Sequence, residues 1–296
     1  MYVALNGHAA KWDDEKPAMD RPKKNRKAGA PREQRSPLAY ALDTRDSSTL
    51  DMVREAISHK QVLLAYQPVV QASNTKRPAF YEGLVRVLDE TGRIIPAKDF
   101  MGAVEDTELG RQLDVLALEL GLQALAEQPG LRLSINMSAR SIGYAPWMDC
   151  LQRGLARAAT IPERLIFEIS EKSVVQVPEI VKGFMEELQV KGMSFALDDY
   201  GAGLTTLTVF RDFDFDIIKL HGSFSRNISQ DGSNQVLASA VAAICERFDM
   251  HSVASRIESP ADAQMMADLG FDCLQGFAFG APTISPPWKQ RKNNAA

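Results

Sequence analysis

From about residue 50 the chain repeats one pattern: a short run rich in Val, Ile and Leu, a turn, then a longer stretch of helical periodicity. The predicted strands are VLLAYQPVV (62–70), YEGLVRV (81–87), LRLSINMS (131–138), LIFEIS (165–170), SFALDDY (194–200), DIIKLHG (216–222), HSVASRI (251–257) and CLQGFAF (273–279). Helical patterns cover 111–128, 146–159, 177–191, 232–248 and 259–269. In the last of these Ser259 is an expected N-cap, Pro260 the first helical residue and Gly270 the stop. Eight strands alternating with helices imply an α/β fold, a TIM-like (β/α)8 barrel. One connection breaks the rule. Only QASNTKRPA (71–79) and Phe80 separate the first two strands, and they hold turn formers without a helix. A parallel crossover needs about a dozen residues, so the expected barrel has an antiparallel first strand.

In such barrels reactive groups sit at the carboxyl ends of the strands. Those ends carry Asn136, Glu168, Asp198, Asp199, Lys219 and Gln275, while Glu82 lies early in its strand at a height the sequence leaves open. Any one of them could be a cap or a helix-dipole partner. A polar residue repeated at the same end of so many strands instead predicts a site. Glu82, Asn136, Glu168 and Asp198 offer oxygen ligands only, which suits Mg²⁺ or Mn²⁺ and the polarisation of phosphoryl oxygens. The adjacent Asp198 and Asp199 could place one carboxylate between two ions. Without a cation this many acids would repel one another and take up protons. The candidate cations are a metal, Lys219 or Arg256.

Composition narrows the remaining classes. The chain has 296 residues, 45% of them hydrophobic and 24% charged, ordinary values for a globular protein. No apolar run approaches the ~18 residues of a membrane span, and the N-terminus lacks a signal-peptide core, so the cytoplasm is the expected location. Cys150, Cys245 and Cys273 are widely spaced in apolar sequence and are expected to be reduced core thiols. The net charge of −4 divides into +4 over residues 1–36 and −8 over the rest. RPKKNRKAGAPREQR (21–35) cannot bury enough apolar surface to fold alone. A disordered basic tail is therefore expected over 1–48, a barrel over 49–288 and a disordered tail over 289–296. The basic tail suggests nucleic acid or membrane contact only weakly, because no aromatic residues interleave the charges.

From about residue 60 to 282 the chain resembles the EAL domain, the bacterial family that hydrolyses or binds cyclic di-GMP. YQPVV is similar to the family's first-strand motif, and EGLVR (82–86) stands at its Glu-Ala-Leu-x-Arg. SINMS, FEISE, LDDYGAG, IIKLHGSF and LQGFAFGAP follow in the family's order. The resemblance implies metal ligation by Glu82, Asn136, Glu168 and Asp198, with Asp199 serving a second ion. It implies dinucleotide contacts from Gln67, Leu84 and Arg86, Lys219 beside the attacking water or the phosphate, Gln275 closing the site, and Glu171 bracing the loop after Asp199. A guanidinium fork at Arg86 matches phosphate oxygens.

The match fails at the seventh strand. Where the family has Glu-Gly-Val-Glu-Thr this chain has Ser255-Arg256-Ile257-Glu258-Ser259. The first Glu is the residue to which the family's mechanism assigns activation of water and a share in the second metal. A serine hydroxyl is neither a useful base at neutral pH nor a strong ligand for a hard cation. His221 replaces a family Asp and is expected to be a structural hydrogen-bonding group; Tyr200, Ala202 and Leu204 are milder changes. Arg256 either places its charge where a metal would sit or points to solvent.

Three readings follow. The first is an impaired module that binds cyclic di-GMP, with a single metal site, and signals to a protein partner. The second is an active phosphodiesterase making the linear dinucleotide, with His221 or Glu258 replacing the base at Ser255. The third is a nucleotide-independent interaction protein. A homodimer through barrel helices is compatible with the resemblance, though no sequence feature requires it.

Overall fold

The computed structural model describes residues 36–203 and 207–289, with backbone alone for 37–43. The basic tail up to residue 35, Leu204, and the C-terminal tail beyond residue 289 lie outside the described residues. The barrel lies within the unit Thr44–Ala296.

The strands are β1 (Val62–Gln71), β2 (Asn74–Leu88), β3 (Ile94–Pro96), β4 (Leu133–Met137), β5 (Leu165–Ser170), β6 (Ser194–Tyr200), β7 (Ile217–Leu220), β8 (His251–Ala254) and β9 (Cys273–Gln275). The helices are α1 (Pro37–Ser58), α2 (Met101–Val104), α3 (Glu108–Glu127), α4 (Ala145–Leu155), α5 (Glu171–Gln176), α6 (Pro178–Gln189), α7 (Val209–Asp212), α8 (Gly222–Ser225), α9 (Gly232–Arg247) and α10 (Pro260–Asp268). The sheet closes in the order β1-β2-β4-β5-β6-β7-β8-β9 and back to β1, with β3 added outside on β2. β1 is antiparallel to both neighbours, and every pair from β2–β4 round to β8–β9 is parallel. The fold is therefore a mixed eight-stranded barrel. The predicted hairpin is tighter than the sequence suggests, because β2 already begins at Asn74 and only Ala72 and Ser73 intervene. α1 begins at Pro37 and continues to Ser58, so the boundary expected at residue 48 falls within a helix.

Local chemistry sets the helix starts. The side chains of Thr107, Asp231 and Ser259 accept the backbone N–H of Leu109, Asn234 and Asp262, the N-cap bonds that open α3, α9 and α10. Pro260 stands in the first turn of α10, and Gly270 adopts φ +94° after it. The main core lies between the outer face of the barrel and the helices, around Trp147, Phe167, Phe184 and Phe195. A second cluster seats Val53 and Ala56 of α1 with Val62, Val87, Ile95 and Phe100. All three cysteines are buried and unpaired. Among the described residues no helix is long and apolar enough to cross a membrane.

Candidate active site at the barrel mouth

Side chains two apart on a strand share a face. Val69, Phe80, Ile166, Ala196, Ile217, Val253 and Cys273 form one buried apolar cluster, a layer inside the barrel. Two positions nearer the mouth on the same strands stand Gln67, Glu82, Glu168, Asp198, Lys219 and Gln275; Ser255 follows one residue beyond the end of β8, and Asn136 stands two beyond buried Ser134. The apolar layer floors the polar one. This fixes the height of Glu82, which the sequence left open: it pairs in register with Gln67 across β1–β2.

Lys219 is the hub of the polar layer. Its Nζ donates to Glu82 Oε2 at 3.0 Å and Glu168 Oε2 at 2.5 Å, and lies 3.1 Å from Asp198 Oδ1. Asn136 Nδ2 donates to Glu82 Oε1 at 2.8 Å, and Gln275 Nε2 to Glu82 Oε2 at 2.6 Å. Gln275 also reaches Gln67 Oε1 at 3.3 Å, while Gln67 Nε2 donates to the Gly280 carbonyl at 3.1 Å. Side chains from seven strands thus meet in one network.

The electrostatics follow from burial and these contacts. Burial pushes the Glu82 carboxyl up, but the Lys219 ammonium and hydrogen bonds from Gln275, Asn136 and Lys219 prevail and hold it at about 2. Glu168 is raised well above the usual carboxylate range, by burial first and then by the charge of Glu82. Burial, with the charges of Glu82 and Asp199, also raises Asp198 against the pull of Lys219. Burial disfavours the Lys219 cation, yet the three carboxylates overcome this and raise its pKa well above the ordinary lysine value. One ammonium against three carboxylates leaves an excess of two negative charges when all are ionised. The raised Glu168 pKa favours uptake of a proton there, which would remove one of the two; Glu168 Oε1 is buried without a hydrogen-bond partner.

A hard divalent cation fits this set by charge, by its all-oxygen donors and by the orphaned Glu168 Oε1. Among the described residues no group of three or more His, Cys, Asp or Glu side chains is already disposed to hold a metal. The ammonium of Lys219 stands where the three carboxylates converge, so it has to yield at least one of them to an incoming ion. A second ion fits poorly, because Asp199 is exposed at a left-handed φ of +55° in an irregular stretch of β6 and Ser255 offers only a hydroxyl.

The remaining expected site residues are placed as follows. Leu84 and Arg86 continue the inward face of β2 toward the rim and are half-buried; burial lowers the Arg86 pKa against the charges of Glu82 and Asp99. Glu171 accepts the backbone N–H groups of Gly201 at 3.1 Å and Gly203 at 3.0 Å, in the loop after Asp199. Three residues are not brought into the cluster. Glu258 is exposed, 4.0 Å from Arg226. His221 caps α8, its Nδ1 2.9 Å from Ser223 Oγ. Arg256 is exposed at φ +60°, with its stem laid over Gly222, where a Cβ would meet Arg256 Cδ at 2.3 Å. The cation among the acids is Lys219, not Arg256.

Asp114 went unnoticed in the sequence. From α3 its carboxylate accepts Ser138 N at 3.0 Å and Ser141 Oγ at 2.6 Å, bracing the loop that follows Asn136. Burial raises it to about 6 against those two hydrogen bonds. The available signal was a lone acid at apolar-face spacing in RQLDVLALEL.

The EAL domain family matches residues 50–282. The chain belongs to the EAL domain family. Among curated relatives, this EAL domain is 25% identical over 235 residues to the cyclic di-GMP phosphodiesterase PdeB of Shewanella oneidensis, covering 78% of this chain and 27% of that protein. It thus spans about a quarter of that relative's length. Among solved structures it is similar to the PaMucR phosphodiesterase in complex with c-di-GMP, at 24% identity and TM-score 0.74, covering 82% of this chain and 99% of that one. It is also similar to Klebsiella pneumoniae BlrP1, solved as calcium and manganese complexes with the same dinucleotide. There the identity is 26% and the TM-score 0.66, over 75% of this chain and 56% of that one.

Proposed function

We propose that this EAL domain is a bacterial, cytoplasmic cyclic di-GMP receptor that binds the dinucleotide at its barrel mouth without appreciable hydrolysis and passes the signal to a protein partner. The observation that carries the proposal is Ser255. It stands one residue beyond β8, at the sequence position where the family motif has Glu, and neither Glu258 nor His221 turns into the cluster to replace it. Removing a general base costs roughly 10²–10⁴-fold in rate.

Binding falls to residues that remain. Arg86 at the rim presents its guanidinium to a phosphate, Leu84 offers an apolar contact, and Gln67, Glu82 and Asn136 supply polar contacts from the network. Glu82, Asn136, Glu168 and Asp198 would hold one Mg²⁺ or Mn²⁺. That ion, when bound, polarises a phosphoryl oxygen. Lys219, held by buried carboxylates, keeps its proton and offsets part of their negative charge. Glu171 sets the position of the loop after Asp199, and Gln275 ties Glu82 to β1.

Calorimetry with cyclic di-GMP in Ca²⁺ tests this. Saturable binding that is lost in Glu82→Ala is expected, and no binding at tens of micromolar would overturn it. A second reading, an active phosphodiesterase, is favoured by the intact Lys219, Glu82, Glu168 and Asp198 cluster. Turnover with Mn²⁺ that disappears in Glu82→Ala would establish it.

A further inference from the structure

Beside the mouth, the loops after β7 and β8 and the start of α9 line an open groove of about 380 Å³. His221, Arg226, Arg256, Asp231 and Asn234 line it. The sign of charge there is the reverse of the acidic layer within the barrel. Two guanidinium groups face one carboxylate, and that carboxylate is engaged: Asp231 accepts the backbone N–H of Asn234 at 3.0 Å as the cap of α9. Arg226 lies 4.0 Å from Glu258, but both side chains are more than half exposed (58% and 53%), so the pair holds Arg226 only weakly.

The donors are free to receive an anion. Arg256 makes no ion pair among the described residues. His221 Nδ1 takes the Ser223 N–H at 3.4 Å, which assigns the ring proton to Nε2 and leaves an N–H donor. The backbone also shows a local cost at this point. Arg256 holds φ +60°, a left-handed conformation that crowds the Cβ of a non-glycine residue. Its stem can lie flat only because Gly222 beneath it has no Cβ. Strain of this kind gathers at ligand clamps and active sites. The N-terminal end of the 16-residue helix α9 adds partial positive charge to the same wall.

We infer that this groove binds a phosphate dianion, as free phosphate or as the terminal phosphate of a monoester, clamped between Arg226 and Arg256 with His221 donating from the side. Guanidinium forks match phosphate oxygens and exclude a metal cation from the same place. The inference does not depend on cyclic di-GMP binding, since that ligand carries only phosphodiesters.

The test is titration of the full chain with inorganic phosphate and, separately, guanosine 5′-monophosphate, in chloride buffer, by calorimetry and ³¹P line broadening. Saturable binding is expected, weakened about tenfold or more in Arg256→Gly and in Arg226→Ala. Arg256→Gly retains the fold, because glycine adopts φ +60° without strain. Gly222→Ala, which displaces the Arg256 stem, weakens binding in the same direction. Tighter binding of the nucleotide than of phosphate assigns the site to a monoester, and equal or weaker binding assigns it to the free ion. No saturable binding of either probe, or binding unchanged in both arginine variants, would overturn the inference. Cyclic di-GMP binding measured on the same variants separates this outcome from failure of the mouth site.

Discussion

At the scale of single residues, Lys219 dominates. It sits 3% exposed among three carboxylates, so replacing it by Met strands their charge in a buried site. Breaking a buried pair of this kind costs about 3–5 kcal/mol. Lys219→Met is therefore expected to unfold at markedly lower urea concentration, with added Mn²⁺ restoring part of the loss. Asp114 gives a pH signature. Its carboxyl is raised from 3.8 to about 6, so the folded chain binds more protons than the unfolded one between these values. This contribution is complete below pH 4 and is lost as pH rises through about 6. Asp114→Asn should flatten the fall in stability over that interval, measured by urea unfolding at several pH values. The strand-end acids and amides were legible in the sequence because polar groups break an apolar pattern. Asp114 was not, because its partners Ser138 and Ser141 are brought to it only by packing of α3 against the β4 loop.

At the scale of elements, the loop after β8 is tied to β9 through its backbone. Ile257 N donates to the Gln275 carbonyl at 2.9 Å, and Ala278 N to the Ile257 carbonyl at 3.1 Å. Gly276 passes so close that a Cβ would lie 1.9 Å from the Ile257 oxygen, a backbone atom that cannot swing aside. Gly276→Ala is expected to displace this loop and cost at least about 1–3 kcal/mol, read by thermal unfolding. Cyclic di-GMP affinity should fall with it, because Gln275 moves. Strand positions were legible from β-branched runs, and the reversed β1 from the short connector. Three features were not. β3 has only three residues, the first part of β2 carries polar side chains that read as turn, and α1 lacks a strong apolar stripe. The direction taken by Arg256 also depends on the missing Cβ of Gly222, a contact between two loops that no local pattern reports.

At the scale of the whole molecule, an apolar layer closes the barrel from below and a charged layer opens at its mouth. Retention of this costly buried cluster, without a carboxylate at position 255, matches a protein that holds a phosphodiester ligand and does not cleave it. On the proposed reading, the end of β8 is where binding and catalysis separate. The direct measurement is turnover of cyclic di-GMP with Mn²⁺, at high enzyme concentration, for the natural chain beside Ser255→Glu. Both are checked for binding by calorimetry. The account predicts that both bind, that the natural chain yields no linear dinucleotide above background, and that Ser255→Glu gains measurable turnover. Robust turnover by the natural chain, abolished in Glu82→Ala, would contradict it.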